Sequence, residues 1–374
     1  MSAPQIKGWC PGALRPMLSG DGWVVRVRPV AGRLTQAQAV GIAALAQQHG
    51  NGCIDLSSRA NVQVRGVTDD SHPPLIDGLR KLGLIDATPD AEAARNLVVT
   101  PFWDDGDGTT DLAQILGQAM AAGPDLPGKF GVALDTGPVP VLRNVSVDIR
   151  VERGSEGGLI VLADGMAAGA ATTRTGLAAT VQSLAQWFAA HGVTENRGRM
   201  AALIASVAKP PTLFSAVAAQ PDQSAPATPG LVPQGALVAF AFGQMTAQTL
   251  AGLADLGPLR ITPWRMVLLE GAQTMPDLPD LITAPDDPLL RVIACTGAPG
   301  CNQAHGPTRS LARALAPLVR TALHVSGCAK GCAHPRAAPL TLTATQAGYT
   351  LIRNGTAAAQ GPTFSAADLM TKLP

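Results

Sequence analysis

The chain has 374 residues, 46% hydrophobic and 15% charged, which is enough for two or three packed modules, and no uninterrupted apolar run is long enough to span a bilayer. Twenty-eight Lys and Arg against 27 Asp and Glu leave a formal charge of +1, with one Tyr and five Trp, so there is neither a global basic bias toward nucleic acid nor an aromatic platform for single-stranded bases. No GxGxxG follows an expected strand and no GxxxxGKS/T occurs, so electrons for any redox chemistry are expected from a partner.

Residues 1–19 are irregular, broken by Pro4, Pro11 and Pro16, and Cys10 reads as a small buried hydrophobe. A strand–helix–strand unit follows. Trp23–Arg28 alternates Val25 and Val27 with Arg26 and Arg28, the pattern of a half-buried strand with the arginines on its solvent face. Thr35 is placed to cap an alanine-rich helix over 36–48 that Gly50 ends. Strands are expected at 54–56 and 62–64, with Arg59 and Arg65 at strand ends. Next come a helix at 72–86 and a short strand at 97–100 after Arg95-Asn96. The acidic loop 104–111 reads as solvated, with Asp111 capping a helix to about 121. A strand at 130–134 is entered through Leu126-Pro-Gly-Lys129, followed by a hairpin of 145–151 and 159–162 and a long helix at 175–190.

Residues 220–230, rich in Pro, Ser and Ala, read as a linker. After it the opening unit returns. Gly32-Arg-Leu-Thr35 before a helix matches Gly243-Gln-Met-Thr246 before another, and the segment 54–66 matches 259–271 with a small shift in spacing. The chain therefore reads as an internal duplication of α+β class, whose natural ligand site is the crevice between two halves.

Four of the six cysteines fall in one stretch, as Cys295-x5-Cys301 and Cys328-x3-Cys332, interleaved with Gly297, Gly300, Gly327 and Gly331. The opening residues do not read as a signal peptide, so the thiols are expected to stay reduced in a cytoplasmic setting. The spacing fits a zinc knuckle poorly and suits four thiolates on an iron–sulfur cluster, with zinc and plain core cysteines as the alternatives.

The joint order of Gly20-Asp-Gly-Trp-Val-Val-Arg-Val-Arg28, Gly32-Arg-Leu-Thr35, Arg59-Ala-Asn-Val-Gln-Val-Arg-Gly66, Arg95-Asn-Leu-Val-Val-Thr-Pro101, Leu126-Pro-Gly-Lys-Phe130 and the cysteine pairs resembles the nitrite/sulfite reductase superfamily over nearly the whole chain. That resemblance implies duplicated ferredoxin-like half-domains and α/β modules. The halves would run 1–70 and 231–275, the modules 71–219 and 276–374, with 220–230 between them. It also implies a 4Fe–4S cluster on Cys295, Cys301, Cys328 and Cys332, which in the reductases lies beside sirohaem. Two departures point to one branch. Lys330 stands where the reductases more often carry Asn, and Lys129-Phe-Gly131 stands where they carry Lys-Phe-Lys. Both are similar to the precorrin-3B synthase branch, which hydroxylates precorrin-3A at C20 with dioxygen and closes a γ-lactone in aerobic cobalamin biosynthesis.

Such a substrate carries many carboxylates. The candidate cations are Arg26, Arg28, Arg59, Arg65, Arg95, Lys129, Arg265 and Arg309, with Lys129 and Lys330 nearest the chemistry. The branch is associated with a second, mononuclear non-haem iron, for which His305, His324 and His334 are the imidazoles closest in sequence to the cysteines. His49 and His191 read as structural, and His72 lies in a loop. Sirohaem is expected only if the chain is a reductase. A non-catalytic tetrapyrrole-binding iron–sulfur protein is the remaining alternative. The expected partners are precorrin-3A, dioxygen and an external electron donor, with no nucleic acid and no membrane. A monomer is expected, since the duplication already supplies the symmetry.

Overall fold

The computed structural model describes residues 11–206, 209–222 and 226–373; Cys10 and the middle of the 220–230 segment lie outside them. The first strand is Gly22–Val27, and Val25 and Val27 are fully buried, each contributing roughly 1.5–3 kcal/mol by leaving water. Its other face is not the solvent face expected. Arg26 and Arg28 are 9% and 6% exposed, because residues 11–15 fold over them: Pro11 accepts from Arg28 Nη2 at 3.4 Å and Gly12 from the Arg26 amide at 3.0 Å. Thr35 caps helix Gln36–His49 in a capping box with Gln38, as the sequence indicates.

Several boundaries move for local reasons. The helix expected over 72–86 is His72–Lys81, and Gly83 at φ 69° turns the chain out of the helical region just past it. The next long helix is Thr109–Ala121. Its first turn is held by Asp107, whose carboxylate accepts from the Thr109 amide at 2.7 Å, whereas Asp111 sits inside the turn and pairs with Arg174. The strand expected at 130–134 is Val132–Asp135, and the helix expected at 175–190 is Leu177–Gly192.

The two ferredoxin-like sheets interlock. One runs Met17–Ser19, Gly22–Val27, Val62–Val67, Cys53–Leu56 and then Gln244–Thr246 from the second half. The other runs Gly230–Val232, Gly235–Phe240, Met266–Glu270, Leu259–Ile261 and then Arg33–Leu34 from the first. The segments 1–70 and 231–275 are thus interleaved, and helices Gln36–His49 and Ala247–Leu256 share one hydrophobic core between the sheets.

The duplication extends to backbone conformation. Ala31 and Phe242, 211 residues apart, both have positive φ (51° and 62°), as do Ala60 and Arg265 (53° and 62°), which are 205 apart. The spacing shrinks across the helix, which has 14 residues in the first copy and 10 in the second.

Two α/β sheets complete the fold. Leu97–Val99, Val132–Asp135 and Ile149–Arg153 are parallel neighbours in one. Val292–Ala294, Leu323–Ser326 and Ala338–Thr345 are parallel neighbours in the other. Both cysteine pairs follow the carboxyl ends of parallel strands, where α/β sheets place ligands: Cys295 directly after Ala294, Cys328 two residues after Ser326. No helix among the described residues is long and apolar enough to cross a membrane.

Candidate functional site

The two cysteine loops are stitched to each other and to the first ferredoxin-like sheet. The Cys295 carbonyl accepts from Thr308 Oγ1 at 2.6 Å, its sulfur accepts from the Gly327 amide at 3.2 Å, and Gly327 in turn accepts from the His305 amide at 2.8 Å. From the sheet side, Gly300 receives Ser19 Oγ at 2.6 Å, the Gly20 amide at 3.2 Å and Arg65 Nη2 at 3.1 Å. The approach is so close at Gly20 that a Cβ there would overlap the Pro299 carbonyl and lie 2.9 Å from the Cys301 nitrogen.

The four thiols share one neighbourhood. Burial pushes the Cys332 thiol above its ordinary value, Lys330 pulls it down, and Cys295, Cys328 and Cys301 each push it up again. Mutual repulsion of this kind disfavours free thiolates and is reversed when a cationic core ligates them. Among the described residues, no three His, Cys, Asp or Glu side chains gather as they would around a single ion. Four thiols brought together by two glycine-rich loops make a donor set that suits a metal centre.

The cations fall into three groups. Arg65 and Arg309 converge beside the cysteines on one buried carboxylate, Asp55, at 3.1 and 3.0 Å, and Arg65 also pairs with Asp21 at 2.6 Å. Arg265 joins them, held below its ordinary range by burial and by Arg309, and raised by Asp55 and Cys295. Arg26 links to this group across the sheet through Gln63, whose Oε1 accepts from Nη2 at 2.8 Å and whose neighbour in register is Asp55.

Arg59 and Lys129 form the second group. Arg59 Nη2 donates to the Lys129 carbonyl at 2.8 Å while the Lys129 side chain is exposed. Gly131 lies against them: a Cβ there would sit 2.9 Å from Asn96 Nδ2 and 3.4 Å from Arg59 Nη1. Asn96 is fixed by its own bond to the Phe130 carbonyl at 2.5 Å, so the position is built for glycine.

The third group lines a cleft of about 550 Å³ between the first ferredoxin-like sheet and helix Thr109–Ala121, bordered by Arg28, Arg33, Arg95, Asn61 and Trp103. That size is within the range of small-molecule sites. Its arginines carry protein counter-ions: Arg28 with Glu92 at 2.8 Å, Arg33 with Glu270 at 2.8 Å, Arg95 with Asp86 at 2.8 Å.

The histidines separate. His324 is fully buried, with no hydrogen-bond partner for either ring nitrogen among the described residues, and lies edge-on to His334 at 5.7 Å between ring centroids. Burial, then His334 and Arg265, push it down to about 4. His305 is exposed. The three do not form a ligand triad.

Sequence reasoning gave no role to Ser19 and Gly20, which bond the cysteine loop at Gly300, or to Asp21 and Asp55, which hold Arg65 and Arg309 beside it. One signal could have flagged the two carboxylates. Residues 288–367 contain seven Lys and Arg and no Asp or Glu, so counter-charge for that module has to come from elsewhere in the chain.

Residues 15–82 match the nitrite/sulfite reductase ferredoxin-like half domain. The chain is 26% identical to a precorrin-3B synthase of Sinorhizobium sp over 95% of its own length and 84% of that protein's. It is 34% identical to the chloroplastic ferredoxin–nitrite reductase of Zea mays over 81 residues, 21% of this chain and 14% of that one. Its fold is similar to that of the Mycobacterium tuberculosis NirA protein, with a TM-score of 0.63 at 18% identity, covering 93% of this chain and 79% of the other. The resemblance read from the sequence, in family and in fold, is borne out.

Proposed function

We propose that this chain, built on the nitrite/sulfite reductase-like fold, is a precorrin-3B synthase-type oxidoreductase of cobalamin biosynthesis. On this reading it hydroxylates precorrin-3A at C20 with dioxygen and closes the γ-lactone. The observation that carries the reading is the joining of the loops that bear Cys295, Cys301, Cys328 and Cys332 through Gly327, with Arg65 and Arg265 bonded to those loops and Arg309 beside them on Asp55. Similarity to a precorrin-3B synthase over 95% of the chain supports the substrate class.

The four cysteines would hold a 4Fe–4S cluster, which supplies one-electron transfer when bound. The protein's own groups do the rest. Arg59 and Lys129, held together at the edge of the first half, and Arg28 and Arg95 in the 550 Å³ cleft would orient the carboxylates of a tetrapyrrole by charge-assisted hydrogen bonds. Because Arg28 and Arg95 already hold Glu92 and Asp86, an incoming carboxylate exchanges with or adds to a formed pair, which favours selectivity over bulk affinity. His305, His324 and His334 do not fit a three-imidazole iron site, and no step is assigned to a second iron. Electrons would come from an external donor.

Gly131 favours the synthase over a reductase, since the lysine that the reductases carry there would collide with Asn96. The test is anaerobic purification with iron and sulfide analysis, an optical spectrum, and incubation with precorrin-3A under air and under argon. Turnover under air alone, with cluster absorbance and no sirohaem bands, is expected. Sirohaem bands would transfer the chain to the reductases, and absence of turnover under air would leave a tetrapyrrole-binding protein without this activity.

A further inference from the structure

Arg265 occupies a costly position. It has φ 62°, a region that non-glycine residues enter at about 1 kcal/mol or more. Its counterpart in the first copy, Ala60, adopts the same turn at φ 53°, so the turn belongs to the fold but the long cation belongs only to the second copy. The stem of Arg265 runs over Gly243, where a Cβ would come within 2.7 Å of Arg265 Cβ and 3.0 Å of its Cγ and Cδ. The guanidinium ends at the cysteine loop, donating from Nη2 to the Ala333 carbonyl at 3.3 Å, one residue past Cys332.

Among the described residues, Arg265 has no carboxylate ion pair to account for this placement. The neighbouring charge is another cation, Arg309. The carboxylate within range, Asp55, already holds Arg65 and Arg309 at 3.1 and 3.0 Å. Residues 288–367 supply no carboxylate at all. What remains at the guanidinium is the cysteine loop itself, reached through the Ala333 carbonyl beside Cys332. Four thiolates around an iron–sulfur core carry net negative charge, and one-electron reduction adds to it.

We propose that Arg265 is the counter-charge of the thiolate-bound cluster, stabilising its reduced form and thereby setting its reduction potential. The proposal rests on the 4Fe–4S reading above and deepens it. It assigns to Arg265 a role toward the cluster in place of the substrate role suggested by the sequence.

The test is a redox titration of the reconstituted full-length protein, followed by electron paramagnetic resonance. The proteins compared are wild type, Arg265→Gly, Arg265→Lys and, as a surface control, Arg313→Gln, which alters an exposed arginine lying over the Phe242 ring. Glycine suits φ 62°, so Arg265→Gly removes the charge while relieving the backbone, and its cluster-free melting temperature is expected to be no lower than wild type. Its midpoint is expected to fall by about tenfold in the reduction equilibrium, 59 mV for a one-electron couple. Arg265→Lys is expected to fall between Arg265→Gly and wild type, and Arg313→Gln to match wild type. An unchanged midpoint in Arg265→Gly, or an equal fall in Arg313→Gln, overturns the proposal while leaving the cluster reading intact. A wild-type protein with no four-iron signal removes both.

Discussion

Asp55 and Arg65, ion-paired at 3.1 Å in the first ferredoxin-like sheet, stand at the positions that Arg260 and Glu270 hold in the second, with both charges reversed. Each copy uses the site to reach an α/β module. Asp55 takes Arg309 from the second module, whereas Arg260 donates to the Pro101 carbonyl of the first at 2.8 Å. Reversal is possible because the pair is satisfied internally in either sense; what differs is the partner beyond it.

Removing the carboxylate from the first pair should therefore be expensive. Asp55→Asn leaves Arg65 and Arg309 crowded without their shared anion, and breaking a buried pair typically costs about 3–5 kcal/mol. Urea unfolding of the cluster-free protein measures this directly. A loss below about 1 kcal/mol would show that the arginines re-pair elsewhere.

Gly20→Ala should act on the cysteine loop from the opposite sheet. Its methyl group would overlap the Pro299 carbonyl and displace the bond from the Gly20 amide to Gly300. The expected result is loss of half or more of the reconstituted iron, read by iron and sulfide analysis, with far-ultraviolet circular dichroism unchanged.

Cys328→Ser should abolish the cluster signal and turnover together, because it removes one of the four thiolates. A full 4Fe–4S resonance in that variant would remove Cys328 from the ligand set.

Gly131→Lys installs the residue the reductases carry. The new Cβ meets Asn96 Nδ2 at 2.9 Å, so the Asn96 bond to Phe130 must break or the strand entrance must shift, at about 1–3 kcal/mol. Thermal melting measures the cost. A neutral substitution would mean that Asn96 moves freely and that Gly131 carries no weight in separating synthase from reductase.

Acid stability should show two opposed titrations. Asp135 is raised from 3.8 to about 6, chiefly by burial, so between those values the folded state holds a proton that the unfolded chain releases, and stability falls as pH rises. His324 is lowered from 6.5 to about 4, again chiefly by burial, so over nearly the same window the unfolded chain holds the proton and stability rises with pH. Each is worth on the order of 3 kcal/mol at 1.36 kcal/mol per unit, and together they nearly cancel. In the cluster-free protein, Asp135→Asn should expose a stability that climbs from pH 4 to 6.5, measured by urea midpoints across that range. A flat profile in this variant would show that His324 charges freely.

Much of this was legible in the sequence because it rests on local chemistry. Thr35 and Thr246 announce their helices, the cysteine spacing announces a shared site, and the matched segments announce a duplication. What escaped was non-local. Arg33–Leu34 and Gln244–Thr246 are too short to read as strands, and only pairing across the halves makes them so. Arg26 and Arg28 alternate like surface residues, yet residues 11–15 cover them. The carboxylates that balance the cysteine-bearing module lie more than two hundred residues away from it, at Asp21 and Asp55.

The interlocked sheets carry a consequence for ancestry. A half that completes its sheet with a ribbon from its twin leaves one sheet edge open when alone, and a free-standing single copy of this fold would close that edge by crossing arms with a second copy. Joined in one chain, the two copies are free to differ: Thr100 follows strand Leu97–Val99 where Cys295 follows Val292–Ala294.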